Sequence, residues 1–367
     1  RFLLFFERFD WILLIAVLAL SSIGLTVIYG IGISREPMDL FPFYKQLIGL
    51  GLGISLVSLL SFVDFRQLRS LNVLIYLVGL ALLAAVLVFG KTVRGTQGWF
   101  AIGSLSFQPV EIAKISLAVY LATFFSRLGH GRLSWSVFGQ SFIVTALYIG
   151  LILLQPDFGS AIVMLILWGC MAMFAGLPRS AWIVLPLVIL LSGALLWTVG
   201  LQPYQQHRIA AFLRPQSDLQ GSGYNAAQAR IAIGSGGWLG KGIGEGSQAR
   251  LRFLPEAATD FIFSVIGEEL GFVGVGVTIL LFGLTLHRFL RIALGSGDDF
   301  AVLLLIGLGS ILLIHLFINA GMNLGIMPIT GIPLPFVSSA ASSLVVAFLS
   351  IGLAQSIYMH RQRSILP

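Results

Sequence analysis

The sequence predicts an all-α integral membrane protein, a bundle of about ten transmembrane helices carrying one long extracytoplasmic loop. Three observations predict it. The 367-residue chain is 57% hydrophobic and only 10% charged, too little charge to coat a soluble domain of that length. Apolar stretches of about 20 residues, the length a helix needs to cross the hydrocarbon layer, recur along the whole chain. Between them lie short loops and one glycine-rich polar stretch, so residues 1–367 read as a single membrane domain with the loop 200–259 inside it.

The expected spans are 11–31, 43–63, 71–90, 109–126, 137–154, 158–176, 180–199, 260–286, 300–324 and 335–359. The first is long and lacks a cleavage-like end, so it reads as a span and not as a removable signal. Most are apolar on every side; the fourth and the eighth carry charges. The lone Cys170 sits in an apolar run, where it can form no intrachain disulfide and reads as packing.

The net charge is +7, but it is concentrated at span ends, which points to anionic lipid headgroups and not to nucleic acid. With the N-terminus in the cytoplasm, the cytoplasmic side holds Arg1, Arg8, Arg66, Arg69, Arg127, Arg132, Arg179, Arg288, Arg291, Arg361 and Arg363. The outside loops and adjoining span ends hold Arg35, Lys45, Lys91, Arg94 and Lys114. That bias places both termini inside, with an even number of spans. The loop 200–259 then lies outside. Loops of this length are functional or disordered; Tyr224, Ile231, Ile233, Trp238 and Phe253 among the glycines predict one ordered against the membrane domain. It carries Arg208, Arg214, Arg230, Lys241, Arg250 and Arg252 against Asp218, Glu245 and Glu256.

Ionisable groups inside apolar spans are costly and are functional candidates. Glu111 and Lys114 stand at i,i+3 on one helix face, either as a self-satisfying ion pair or as a contact to substrate. Asp157, in Gln155-Pro156-Asp157, either starts a helix or serves a site. In the run from Glu256 to Glu269, a helix would place Asp260, Ser264, Gly267, Glu268 and Gly271 on one small, polar face. Asp260 would stand where the basic loop enters the membrane, as a helix-start acid or as a base able to take a proton from a sugar hydroxyl near phosphates. His315, Asn319 and Asn323 fall on one face at i, i+4 and i+8, a pattern that favours interhelical hydrogen bonding. The five histidines show no metal-ligand spacing. Gly234-Ser235-Gly236-Gly237-Trp238-Leu239-Gly240-Lys241-Gly242 fails the phosphate-loop motif, since Ser235 replaces its first glycine and Gly242 its Ser or Thr. Its amides with Lys241 read either as an anion-binding nest or as a flexible turn.

Taken together, these residues resemble the SEDS family, the RodA/FtsW/SpoVE group, over nearly the full length. The resemblance rests on Gln108-Pro109-Val110-Glu111-Ile112-Ala113-Lys114, Gln155-Pro156-Asp157, Gln206-His207-Arg208-Ile209, Phe212-Leu213-Arg214-Pro215 and Gly221-Ser222-Gly223-Tyr224-Asn225. It continues through Ile231 to Gly237, Gly240-Lys241-Gly242, Phe253-Leu254-Pro255-Glu256, Thr259-Asp260-Phe261-Ile262-Phe263 with Glu268-Glu269, and Asn319 with Gly331-Ile332-Pro333-Leu334-Pro335-Phe336-Val337-Ser338. The likeness is greatest to the rod-shape member. The chain departs at Ala340-Ala341, where the family usually has paired glycines, and alanine methyls there limit close helix approach.

The resemblance implies a peptidoglycan glycosyltransferase of the bacterial cytoplasmic membrane that polymerises lipid II on the outer face, releasing undecaprenyl pyrophosphate and inverting the anomeric centre. It implies Asp260 as the base. Arg208, Arg214, Lys241, Arg250 and Lys114, the last partnered by Glu111, are expected to steady the diphosphate. Asp157, Glu256, Glu268 and Ser338 are further candidates. It also implies a divalent cation, Mg²⁺ or Mn²⁺, acting with the diphosphate, and a class B penicillin-binding protein as partner. Competing expectations are a lipid II flippase and a non-enzymatic scaffold for a transpeptidase.

Overall fold

The computed structural model describes residues 9–93, 95–102, 105–128, 131, 133–181, 183–184, 206, 210, 212–213, 218 and 221–361. Its helices are α1 (Trp11–Ile33), α2 (Phe41–Phe62), α3 (Arg66–Ser70), α4 (Asn72–Phe89), α5 (Pro109–Ser126), α6 (Trp135–Leu154) and α7 (Phe158–Gly176), followed by α8 (Ser222–Ser235), α9 (Ser247–Arg250), α10 (Ile262–Leu294), α11 (Asp299–Leu324) and α12 (Ala341–His360). Among the described residues, nine helices are long and apolar enough to cross a membrane. They match nine of the expected spans, with shifted ends. The expected span 180–199 falls almost entirely outside the described residues.

Local chemistry explains where the helices begin and end. Asp10 caps α1 by accepting from the Leu13 amide at 3.0 Å, and Asp157 caps α7 by accepting from the Ser160 amide at 2.9 Å. Pro109 opens α5 at a position where its missing N–H costs nothing. Gly325, at φ 72°, closes α11 in the left-handed conformation that glycine adopts without strain. α12 starts at Ala341, later than expected, because the chain before it turns at Phe336 with φ 65°.

Two ties fix the bundle. Asp10 accepts from Arg288 of α10 at 2.6 and 2.9 Å, while Gln355 of α12 bonds both the amide and the carbonyl of Asp10. The ends of α1, α10 and α12 are thereby locked together. α2 and α12 run against each other along glycines. A Cβ on Gly53 would lie 2.6 Å from the Phe348 ring, and one on Gly352 3.0 Å from Leu60, so small residues set this approach. Gly24 of α1 likewise lets the Val337 backbone cross it.

A three-stranded antiparallel sheet lies between α4 and α5, where a short loop is expected: β1 (Lys91–Val93), β2 (Thr96–Ile102) and β3 (Leu105–Phe107), with Phe100 opposite Phe107. Gln97 braces it by donating to the Leu87 and Gly90 carbonyls. The residues are too few to show alternation against a buried face.

The expected helix over 260–286 is corrected at both of its key positions. Asp260 lies in a turn before the helix, and Gly271 breaks it with φ 67°, ψ −165°. Asp260 and Gly271 therefore do not share a face with Ser264, Gly267 and Glu268. The turn segment 237–242 heals the break. Phe272 and Val273 amides donate to the Gly237 and Trp238 carbonyls at 2.9 and 3.1 Å, and Lys241 and Gly242 amides donate to the Glu268 and Glu269 carbonyls at 2.9 and 3.0 Å. The part after the break, 272–294, is about 34 Å long at 1.5 Å per residue, which fits a hydrocarbon layer about 30 Å thick.

Gly271→Ala should therefore cost about 1–3 kcal/mol, because it adds left-handed strain and pushes a Cβ into the Gly240 amide. Thermal unfolding in detergent checks the loss. Hydrogen exchange should show segment 237–242 losing protection, and unchanged protection there would mean that the stitch is not what holds the loop.

Candidate active site

The site forms where α8, the start of α10, the end of α11 and the segment 325–340 meet. α11 carries its polar residues on one stripe. His315, Asn319 and Asn323 are all buried, and each bonds to another part of the chain, as the spacing predicts. Asn319 donates to the Ile332 carbonyl at 2.8 Å and to the Asp260 carbonyl at 3.0 Å. Asn323 donates to the Asp260 carbonyl at 3.1 Å and accepts from the Ser264 amide at 3.2 Å and the Ser264 hydroxyl at 2.5 Å.

Asp260 is half-buried, in a tight turn. The Glu256 carbonyl takes the amides of Thr259, Asp260 and Phe261 at 3.1–3.2 Å, with Glu256 itself at φ 58°. The turn is pinned from outside as well. Ser338 donates its hydroxyl to the Thr259 carbonyl at 2.6 Å, and the Ser339 amide donates to the Ala258 carbonyl at 2.8 Å. The Asp260 carboxylate faces Gly331, where a Cβ would stand 3.4 Å from Oδ2. Gly159, at the start of α7, packs against Thr330 and Ile332 beside it. A carboxylate on a backbone held at three successive carbonyls is a preorganised base or anchor.

The expected cations divide. Lys241 lies 2.8 Å from Glu268, which also accepts from the Ser247 hydroxyl at 3.1 Å and the Gln248 amide at 3.2 Å. Glu268 is thus a buried brace, while the Lys241 side chain keeps 32% of its surface. Arg250 is exposed, 3.9 Å from Glu245. Arg208 and Arg214 lie outside the described residues. Glu256 accepts from the Thr259 hydroxyl at 3.0 Å, within the turn. Asp157 serves α7 as its cap and takes Gln108 Nε2 at 3.4 Å.

Glu111 and Lys114 take the ion-pair alternative. Lys114 Nζ lies 2.8 Å from Glu111 Oε1, with side-chain exposures of only 2% and 6%. The Lys114 ammonium is buried between Glu111 of its own helix and His315 of α11. Nζ also meets His315 Nε2 at 2.8 Å, and His315 Nδ1 meets the Pro333 carbonyl at 3.2 Å. A carbonyl only accepts, so Nδ1 carries the proton and Nε2 accepts from the ammonium. The pair thereby holds, through His315, the segment that faces Asp260.

Sequence reasoning missed three features. Glu269 is buried against Gly30 of α1 and Gly244, with no hydrogen-bonding side chain on its carboxylate among the described residues. Arg230 of α8 packs against Gly325. The Asn319 and Asn323 spacing was visible, but not that both carboxamides converge on the Asp260 carbonyl. Among the described residues, no three His, Cys, Asp or Glu side chains converge to cage a metal ion.

Fold and site together define a multi-span helical membrane protein with a pinned carboxylate at one end of its bundle. The family model described as a cell cycle protein, FtsW/RodA/SpoVE, matches residues 10–363. A peptidoglycan glycosyltransferase MrdB of Escherichia coli K12 is 34% identical over 356 residues, covering 96% of this chain and 94% of that one. A probable peptidoglycan glycosyltransferase FtsW of Xanthomonas oryzae is 35% identical over 352 residues, 94% of this chain and 72% of the relative. Among solved structures, one of a peptidoglycan synthase complex that coordinates polymerization and crosslinking superposes with TM-score 0.83 at 34% identity, covering 95% of this chain and 97% of that chain. The rod shape determining protein RodA of Thermus thermophilus superposes with TM-score 0.72 at 31% identity, covering 96% and 97%. The chain belongs to the FtsW/RodA/SpoVE family.

Lys114→Met strands a buried carboxylate and should cost about 3–5 kcal/mol. Adding Glu111→Gln should recover part of that loss. Thermal unfolding of both variants in detergent checks this, and equal losses would show that charge pairing is not what the two residues contribute.

Proposed function

We propose that this protein is a peptidoglycan glycosyltransferase that polymerises lipid II in the bacterial cytoplasmic membrane, in the service of elongation and rod shape. Both termini lie in the cytoplasm, and the Asp260 end of the bundle faces outward. The activity for which the relatives are named supports this reading. So does the observation that carries it: one half-buried carboxylate, on a backbone fixed by Asn319, Asn323 and Ser338, beside the basic loop.

Asp260 takes the proton from the 4-hydroxyl of the acceptor sugar. The freed oxygen attacks the anomeric carbon of the donor, the bond to the diphosphate breaks, and its electron pair leaves on undecaprenyl pyrophosphate. One displacement inverts the α-linked donor to a β-linked product without a covalent intermediate. Negative charge growing on the diphosphate is best met by cations already in place. Lys241 and Arg250 are the described candidates, and Arg208 and Arg214 of the same loop complete the set. Lys114 acts from behind the site, as scaffold. Among the described residues no three His, Cys, Asp or Glu side chains gather as they would to hold a resident Mg²⁺ or Mn²⁺. A class B penicillin-binding protein crosslinks the emerging strands as partner.

Purified protein given labelled lipid II, with no partner and no membrane gradient, should make glycan chains, and Asp260→Ala should make none. Normal polymerisation by Asp260→Ala removes the base assignment. Translocation of lipid II without polymer would instead mark a flippase, and neither polymer nor translocation by the unsubstituted protein would mark a scaffold.

A further inference from the structure

The start of α10 raises a question about Asp260. In a helix continued backward by two residues, the Ser264 amide would donate to the Asp260 carbonyl, the ordinary i→i−4 bond. That bond is absent. Asn323 stands in its place, with Oδ1 accepting from the Ser264 amide at 3.2 Å and Nδ2 donating to the Asp260 carbonyl at 3.1 Å. Ser264 N–H also tightens onto the Phe261 carbonyl at 3.0 Å. A side chain inserted into the helix ladder is one of the few causes of a sharp backbone departure.

The geometry points to Asn323, backed by Asn319, as a positioning residue for Asp260: its carboxamide occupies both halves of the 260–264 hydrogen bond and so holds Asp260 off the end of the helix, facing Gly331. Four observations fit together. Asn319 and Asn323 are both 0% exposed, so their amides face no competing water. Asn323 is itself oriented by donating to the Asn319 carbonyl at 2.8 Å. The Ser264 hydroxyl adds a second donor to Asn323 Oδ1 at 2.5 Å, fixing which end of the amide faces α10. Finally, Asn319 spans from the Asp260 carbonyl to the Ile332 carbonyl at 3.0 and 2.8 Å, so the turn bearing Asp260 and the segment facing it hang from one helix.

A leucine at 323 has the volume but neither donor nor acceptor. It frees the Ser264 amide and takes one of two donors from the Asp260 carbonyl, Asn319 keeping the other at 3.0 Å; the 260–264 bond then closes, the helix grows back over 260 and the carboxylate swings away. The role rests on Asp260 being the base, so the experiment separates the two claims. Full-length protein in detergent is assayed with labelled lipid II as wild type, N323L, N323D and D260A, and folding is checked by thermal unfolding. N323D keeps the acceptor for Ser264 but sets an oxygen against the Asp260 carbonyl; it carries the test if N323L does not fold. The expected result is a fall in kcat of about a hundred-fold with KM for lipid II changed by less than about two-fold, since misplacement by about 1 Å of a reacting group costs that much. Folded variants with wild-type kcat, or with the loss confined to KM, alongside an inactive D260A, overturn the positioning role and leave the base assignment standing. An active D260A overturns both.

Discussion

In a membrane bundle a backbone group that leaves its helix must find another partner, because lipid supplies none. Asn323 answers that constraint at Asp260. It accepts from one side of a missing helical bond and donates to the other, so the Asp260 carbonyl and the Ser264 amide both stay paired where the chain leaves the helix. The same helix, α11, also holds the opposite wall, through Asn319 to Ile332 and His315 to Pro333. The spacing between Asp260 and the segment 331–338 is therefore set by residues on one rigid element, and a rigid element positions a reacting group better than a loop does.

A second breach, at Gly271, is healed by backbone instead of by a side chain. The segment 237–242 lends its carbonyls and amides to both halves of the broken helix. The two breaches isolate residues 262–270 as a short helix belonging to the end-cap, and they leave 272–294 as the part long enough to span. Glu268, buried on that short helix, gathers Lys241, Ser247 and Gln248. The basic loop is thus tied to the turn that bears Asp260 by main chain and by charge.

Buried charges elsewhere serve as bolts. At one end of the bundle, Asp10 and Arg288 tie α1 to α10, and Gln355 adds α12. Glu111 and Lys114 join α5 to α11 through His315. Ion pairs of this kind cost nearly as much to desolvate as they return. Their effect is to admit one arrangement of the helices and to penalise others.

Length and hydropathy alone determined that this is a multi-span helical membrane protein, and they located nine of its described spans, because a hydrocarbon layer demands the same apolar length wherever a helix crosses it. The motifs also determined the family, and Asp157 was readable as a helix start because capping is a local effect. Only the tertiary structure decided that the helix expected at 260 begins later and breaks at Gly271, since the groups that replace the missing bonds come from residues 319–323 and 237–242, far along the chain. It alone decided that Lys114 is enclosed and that Glu268 braces Lys241. An i,i+3 spacing says which residues share a face; what that face meets is set by which helix packs against it.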